Sequence, residues 1–335
     1  MGDVGSVIPL GFAVWDLLKG DKLDVDAVVH AGDVSYAGMD MAFPALNVTS
    51  QDEFEPLWDL YGEITEPTAS RVPYQVGIGN HEAWYDFAAV SARYPMRHSG
   101  SALPEAVSAS TPFWWAWERS GVHFLHLSTE HEYTDPAAPQ RVFAEADLAG
   151  VDRAKTPWVV VVFHRPMYCT EAGRYDQSRP GAPLQVALEP VLLAHGVDLV
   201  VAGHAHLYQR IHPVNNGTVT DMPVPSADGA ALYASPSAPV HVVVGFSGAM
   251  QVANFVTPGP DWSAKQWVDG CDKSPGAPDC GRSDHSPRGS YGLGILKTNA
   301  THAHFQTRTL SSARHGAGLH DEFWITKGGV SPVSP

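Results

Sequence analysis

Val159-Val160-Val161-Val162-Phe163-His164 is a run of four valines and a phenylalanine that ends in a histidine. It is too short for a stable helix, and its β-branched side chains suit a pleated surface, so it reads as a strand buried on both faces. Three further runs share the form. Residues 27–31 (Ala-Val-Val-His-Ala) precede Asp33, residues 74–78 (Tyr-Gln-Val-Gly-Ile) precede Asn80, and residues 199–202 (Leu-Val-Val-Ala) precede His204. Strands are also expected at 122–127 and 240–245, with helical patterns at 14–18, 53–61, 141–148 and 184–194. Strand–helix alternation predicts an α/β layered fold. Ligand sites in such folds gather beyond the carboxyl ends of the strands, and that is where these polar residues stand. The loops therefore converge on one rim.

The remaining stretches are less regular. Residues 213–239 are polar with Pro and Gly and read as a loop or irregular hairpin, and residues 254–289 read as an excursion over the site. Residues 291–327 look like strands closing a second sheet. With 335 residues, 44% hydrophobic and 17% charged, the chain can bury a large core and reads as one domain. A formal charge of -15 without a Lys/Arg cluster argues against nucleic-acid binding. No apolar run approaches the ~20 residues of a membrane span. Cys271 and Cys280 bracket a Pro/Gly/Asp-rich loop and can form one local bridge, which leaves Cys169 free. Three glycosylation sequons begin at Asn47, Asn216 and Asn299, which tilts the reading towards a secretory protein.

Five short motifs stand in order: Asp3-Val4-Gly5, Gly32-Asp33-Val34-Ser35-Tyr36, Gly79-Asn80-His81-Glu82, Val161-Val162-Phe163-His164 and Gly203-His204-Ala205-His206. Each alone has a plain reading. Asp33 suits a helix cap, Asn80 a turn and His164 a satisfied core histidine. His204 and His206 at i, i+2 point the same way on extended backbone. Together the five supply seven residues able to hold two metal ions, an arrangement suited to phosphate-ester hydrolysis.

The set resembles the calcineurin-like metallophosphoesterases. It departs from their usual pattern twice: Gly5 stands where the first motif carries a histidine, and Tyr36 enters the second. That exchange is similar to the purple acid phosphatases. Further matches are Phe163-His164-Arg165-Pro166-Met167-Tyr168-Cys169, Leu127-Ser128-Thr129-Glu130, Tyr291-Gly292 and residues 321–327. The resemblance implies a four-layer α/β/β/α sandwich of two mixed sheets flanked by helices. Residues 1–212 would carry the metal motifs, and residues 290–328 would form the family's C-terminal subregion. It implies that Asp3, Tyr36 and His206 hold Fe(III), that Asn80, His164 and His204 hold Zn, Mn or Fe(II), and that Asp33 bridges them. Metal-bound hydroxide would then attack a phosphate monoester, with His81 bonding the phosphate and protonating the leaving group. Where plant members often carry a histidine pair after the fourth motif this chain has none, and Arg174 or Tyr175 is expected to contact substrate there, while His98 and His131 are further candidates. Arg165 is expected to pair with a carboxylate, and Tyr208 and Gln209 to orient the last ligand loop.

The implied protein is a secreted or vacuolar/lysosomal enzyme acting on small phosphate esters, with a homodimer as its expected assembly. Phytase or nucleotide pyrophosphatase activity and a non-catalytic binding module are the alternatives. The strand that leads into Asp3, and any N-terminal β-sandwich module, are expected to lie outside the sequence. That would leave Asp3 at a frayed end.

Overall fold

The computed structural model describes residues 1–6, 11–19, 23–38, 54–104, 107, 112–173, 179, 181–251, 255–256, 259–268, 271–272, 274, 276, 291–310 and 321–328. In chain order its first half comprises α1 (Gly11–Leu18), β1 (Val28–His30), α2 (Phe54–Ala69), β2 (Tyr74–Val76), a 3-10 turn (Asn80–Ala83), α3 (Ala88–Arg93), β3 (Trp115–Arg119), β4 (Val122–His126), α4 (Pro139–Ala149) and β5 (Trp158–Val162). There follow α5 (Pro183–Ala194), β6 (Leu199–Ala202), β7 (Tyr208–Ile211), β8 (Val214–Asn215), β9 (Thr218–Val219), β10 (Val224–Pro225), β11 (Ala231–Ala234) and β12 (Val240–Val244). The last are β13 (Ser263–Val268), β14 (Cys271–Asp272), β15 (Gly292–Thr298), β16 (His302–Thr309) and β17 (Glu322–Thr326).

Eight strands form a mixed sheet in the order β14-β13-β7-β12-β6-β5-β4-β3, whose centre, β12 to β4, is parallel. A second mixed sheet has the order β10-β11-β17-β16-β15, and β1 pairs with β2 in parallel beside it. The valines of β5 explain the layering. Val159 and Val161 point to a core built with α4 and α5, while Val160 and Val162 point to a core shared with β11, β16 and β17. Period-two alternation thus makes one strand serve two interiors. A third core joins α1 and α2 to β1, β2 and the start of β15. The result is a four-layer α/β/β/α arrangement of two mixed sheets.

A buried polar network ties the sheets together. Arg210 on β7 pairs with Asp321 at 2.9 Å and lies over the ring of Phe323 on β17. Tyr208 donates to the same carboxylate at 2.7 Å. The side chain of Gln209 accepts from Thr170 N and donates to Ser263 Oγ. Tyr208 and Gln209 are thereby locked just beyond His206.

Several expectations need correction. Residues 213–239 contain the β8–β9 hairpin and also β11, which pairs in parallel with β17 inside the second sheet. Within 254–289, β13 extends the large sheet alongside β7. These strands are short and stand among prolines, glycines and polar residues, so they give little periodic signal and the segments read as loops. The end expected to fray is fixed. Ala31 N donates to Met1 O (2.8 Å), Gly5 N to Val34 O (2.8 Å) and Ala249 N to Asp3 O (2.9 Å), and Asp3 is fully buried. Residues 1–6 thus form a rung between the β1 loop and the segment leaving β12. A cavity of about 340 Å³ lies beside this rung, lined by Met1, Val29, Val201, Val244, Leu293 and Leu296 among others, and it touches none of the seven motif residues. Among the described residues, no helix is long and apolar enough to cross a membrane.

Burial holds His126 on β4 and His241 on β12 at pKa values of about 3. Unfolding returns them to about 6.5, so the unfolded chain takes up protons first as pH falls below that value. Their contribution to stability is present above pH ~6.5 and declines towards pH ~3. Thermal midpoints should therefore drop steadily from pH 6.5 to 4. His241→Leu should flatten that slope, and an unchanged slope would show that His241 does not titrate on unfolding.

Candidate metal centre

The seven motif residues meet at the carboxyl ends of β1, β2, β5 and β6 and on the N-terminal rung. Each of three loops places a glycine just before its ligand, and two show why. A Cβ on Gly79 would sit 2.3 Å from Asp33 Oδ1, and one on Gly203 would sit 2.5 Å from Asp3 Oδ2. Side-chain atoms there would displace the carboxylates. The turns are tight enough that Asp3, Asp33, Tyr36 and His204 all have positive φ, between 53° and 67°. Such conformations cost ~1 kcal/mol or more each for residues with a Cβ and persist only where surrounding contacts impose them.

The donor atoms fall into two groups that share Asp33. Asp33, His164 and His204 form one, and Asp3, Asp33 and His206 form the other. Asn80 Oδ1 joins the first, 3.2 Å from His164 Nε2. Tyr36 joins the second, its hydroxyl donating to Asp3 Oδ1 at 3.1 Å and lying 2.9 Å from His206 Nε2. Backbone carbonyls orient two of the rings. His164 Nδ1 donates to Ala31 O and His206 Nδ1 to Met250 O, each at 2.8 Å, so both Nε2 atoms face the cluster. An imidazole whose far nitrogen is engaged in this way is oriented for a metal. Carboxylate, amide, imidazole and phenol oxygens or nitrogens at one buried place fit hard and borderline cations.

Glu82 had no role in the sequence reading, although it stands in the third motif. It is buried and accepts hydrogen bonds from three backbone amides: Asp33 N (2.8 Å), Val34 N (2.8 Å) and Gly79 N (2.7 Å). One carboxylate thus clasps two ligand loops together. Burial and the neighbouring Asp33 charge push its pKa up to about 8, against the pull of the Val34 and Gly79 amides.

Positive charge is supplied by histidine. Burial alone would lower the pKa of His164, but Asp33 Oδ2, 3.1 Å away, raises it to about 10. Burial likewise opposes protonation of His206, and its bond to Asp3 outweighs it, so the pKa rises. Burial and the Asp3 and Asp33 charges hold Tyr36 well above the ordinary tyrosine range. His81 differs: burial dominates and lowers its pKa despite Asp33. Its ring lies 4.4 Å from that of Tyr36, and its backbone N donates to Asp33 Oδ1 at 3.0 Å.

Arg165 makes a two-pronged pair with Glu130 at 2.8 and 2.9 Å and reaches His204 Nε2 at 3.3 Å. His131 does not join the cluster. It stacks on Phe113 and bonds Ser128 Oγ. His98 is likewise structural, bonded to Ser101 O and Ala116 N. Arg174, Tyr175, Asn47 and Cys280, and the side chain of Cys271, lie outside the described residues. Cys169 is buried outside any disulfide, its Sγ accepting from Glu171 N, and Asn216 and Asn299 are exposed.

The family model of the calcineurin-like phosphoesterases matches residues 11–208. Purple acid phosphatase 18 of Arabidopsis thaliana is 30% identical over 265 residues, which are 76% of this chain and 52% of that protein. Acid phosphatase type 7 of Homo sapiens is 30% identical over 258 residues, 71% of this chain and 52% of that protein. The chain spans about half the length of these curated relatives. Purple acid phosphatase PPD1 from yellow lupin (Lupinus luteus) seeds superposes over 100% of this chain and 56% of its own, with a TM-score of 0.67 at 23% identity. That similarity concerns the fold.

Two predictions follow from the clasp and the charges. Glu82→Gln replaces one acceptor oxygen with an NH₂ group facing backbone donors, so the metal-free chain should lose ~1–3 kcal/mol in denaturant melts. A loss under 0.5 kcal/mol would refute the clasp. Because His164 is protonated below pH ~10, metal binding must expel at least one proton. Zinc affinity should then rise about tenfold per pH unit between pH 6 and 8. Calorimetry in buffers of different ionisation enthalpy would reveal the released proton, and pH-independent binding would exclude this linkage.

Proposed function

Because this chain belongs to the calcineurin-like phosphoesterases, we propose that it hydrolyses phosphate monoesters as an acid phosphatase of the purple type. The observation that carries the reading is the division of seven donors, five of them buried and two half-buried, into two groups sharing Asp33, one of them containing Tyr36. Asp3, Tyr36 and His206 would hold Fe(III), Asn80, His164 and His204 would hold Zn, Mn or Fe(II), and Asp33 would belong to both. The hard, anionic phenolate oxygen of Tyr36 favours the trivalent ion. A bound pair supplies positive charge for the phosphoryl oxygens and lowers the pKa of a water nucleophile.

The chain's own groups then divide the work. Asp33 and Glu82 set the separation of the two donor groups through the loops they join. Arg165 braces His204 from outside while Glu130 holds its own charge. His81 is part-exposed over the cluster and is the group placed to bond a phosphate oxygen. Its lowered pKa makes it a neutral donor near pH 7. In acid it gains a second proton, which it can pass to the leaving oxygen. That titration agrees with an acid optimum. The exposed sequons at Asn216 and Asn299 support glycosylation and hence a secreted or vacuolar location.

Tyr36→Phe should abolish the visible charge-transfer band of the iron-loaded protein while leaving the fold intact, as judged by circular dichroism. A band that survives would show that Tyr36 is not an iron ligand. Asp33→Ala should reduce kcat for 4-nitrophenyl phosphate by more than 100-fold, and retention of over a tenth of the rate would remove Asp33 from the centre.

A further inference from the structure

We propose that the site prefers phosphate esters of aromatic or other apolar alcohols, which rest on a rim made by Trp84, Tyr85 and Met250. The inference builds on the phosphatase reading above and specifies its substrate class. Eight large hydrophobic side chains are exposed among the described residues: Phe12, Trp84, Tyr85, Val142, Val186, Met222, Val224 and Met250. Two of these eight, Trp84 and Met250, lie against segments that carry donors, and Tyr85 follows Trp84 in sequence.

Trp84 follows the 3-10 turn that carries Asn80 and His81. Its indole lies against the Tyr36–Gly38 turn so closely that a Cβ on Gly38 would come within 2.9 Å of indole carbons. It is nevertheless 38% exposed. Tyr85, next in sequence, is 65% exposed, and its ring is held edge-on to Phe54 with centroids 4.9 Å apart. Met250 approaches from the other side of the same ligand pair. Its carbonyl accepts from His206 Nδ1, while its side chain is 63% exposed. Trp84 thus flanks Tyr36, and Met250 flanks His206, whose Nε2 lies 2.9 Å from the Tyr36 hydroxyl. An indole face and a flexible thioether together accept a flat or branched apolar group of no fixed outline.

On the charged side of the centre, the described cation is already engaged. Among the described residues, Arg165 is the Lys or Arg bonded to a donor residue, and Glu130 already engages it through two bonds. Among those described residues no further cation bonds the donors to favour a leaving group with several phosphates, in a chain whose formal charge is -15. An apolar one loses water-exposed surface against the rim. Covering about 55 Å² of apolar area corresponds to roughly tenfold in kcat/KM.

The test compares 2-phenylethyl phosphate with ethyl phosphate on the metal-loaded full chain, because the two alcohols have similar acidity and so similar intrinsic reactivity. Wild-type protein should favour the phenylethyl ester by about tenfold in kcat/KM, and that ratio should fall below threefold in Trp84→Ala and in Met250→Ala. Calorimetric titration with 2-phenylethylphosphonate and ethylphosphonate, which cannot turn over, should give the same preference in Kd. Should Trp84→Ala misfold, the Met250→Ala ratio decides alone, since that side chain is largely in solvent. Equal kcat/KM for the two esters, or a ratio retained in the soluble variants, would overturn the rim. Turnover of neither ester, with a phosphonate preference that Met250→Ala removes, would sink the phosphatase reading and leave the rim as an anion-and-apolar binding site. No turnover with no phosphonate preference would end both.

Discussion

Three carboxylates, Asp3, Asp33 and Glu82, are buried within one cluster of loops, and the architecture around them is organised by the need to compensate that charge. Isolated ionised groups at such burial are prohibitively unfavourable, so each must find protons, N–H donors or cations. Glu82 takes three backbone amides, Asp33 takes His164 and the His81 amide, and Asp3 takes Tyr36 and the His204 amide. In the metal-free chain the positive charge is a proton on His164. The same seat would serve a metal ion, and the two occupants compete for the same nitrogen.

This constraint explains why so many strands end in one place. Parallel strands deliver their carboxyl ends to a common edge, where β1, β2, β5 and β6 release their loops. The N-terminal rung then inserts Asp3 between the loop after β1 and the exit from β12. No single element holds the cluster. It depends on both sheets, which the Arg210–Asp321–Tyr208 network keeps in register two residues beyond His206.

Much of this was legible in the sequence. The valine runs identify strands buried on both faces because β5 serves two cores, and a polar residue at the end of such a run has few other places to be. The seven donors were readable as a set and come together in space. Less visible were features that depend on partners distant in sequence. Glu82 carries no periodic signal, and its role appears only when Asp33 N and Val34 N arrive from 48 to 49 residues away. Met250 contributes a carbonyl, which any residue type possesses. The strands β11 (Ala-Leu-Tyr-Ala) and β13 (Ser-Ala-Lys-Gln-Trp-Val) are short and set among prolines and glycines, so only pairing with β17 and β7 reveals them. The anchoring of Asp3 was misjudged for the same reason, since backbone bonds to Gly32 and Ala249 leave no mark on side-chain composition.

The left-handed backbone at Asp3, Asp33, Tyr36 and His204 has a consequence for inheritance. At each of these positions the polypeptide alone would be more comfortable with glycine or asparagine. Only the usefulness of the side chain keeps a costlier residue in place. A duplicated gene freed from that usefulness would be pushed by stability towards Gly or Asn at 3, 33, 36 and 204, before its hydrophobic interior changed at all. The identities at those four positions would then record, in any descendant of this chain, whether selection still acts on its chemistry or only on its shape.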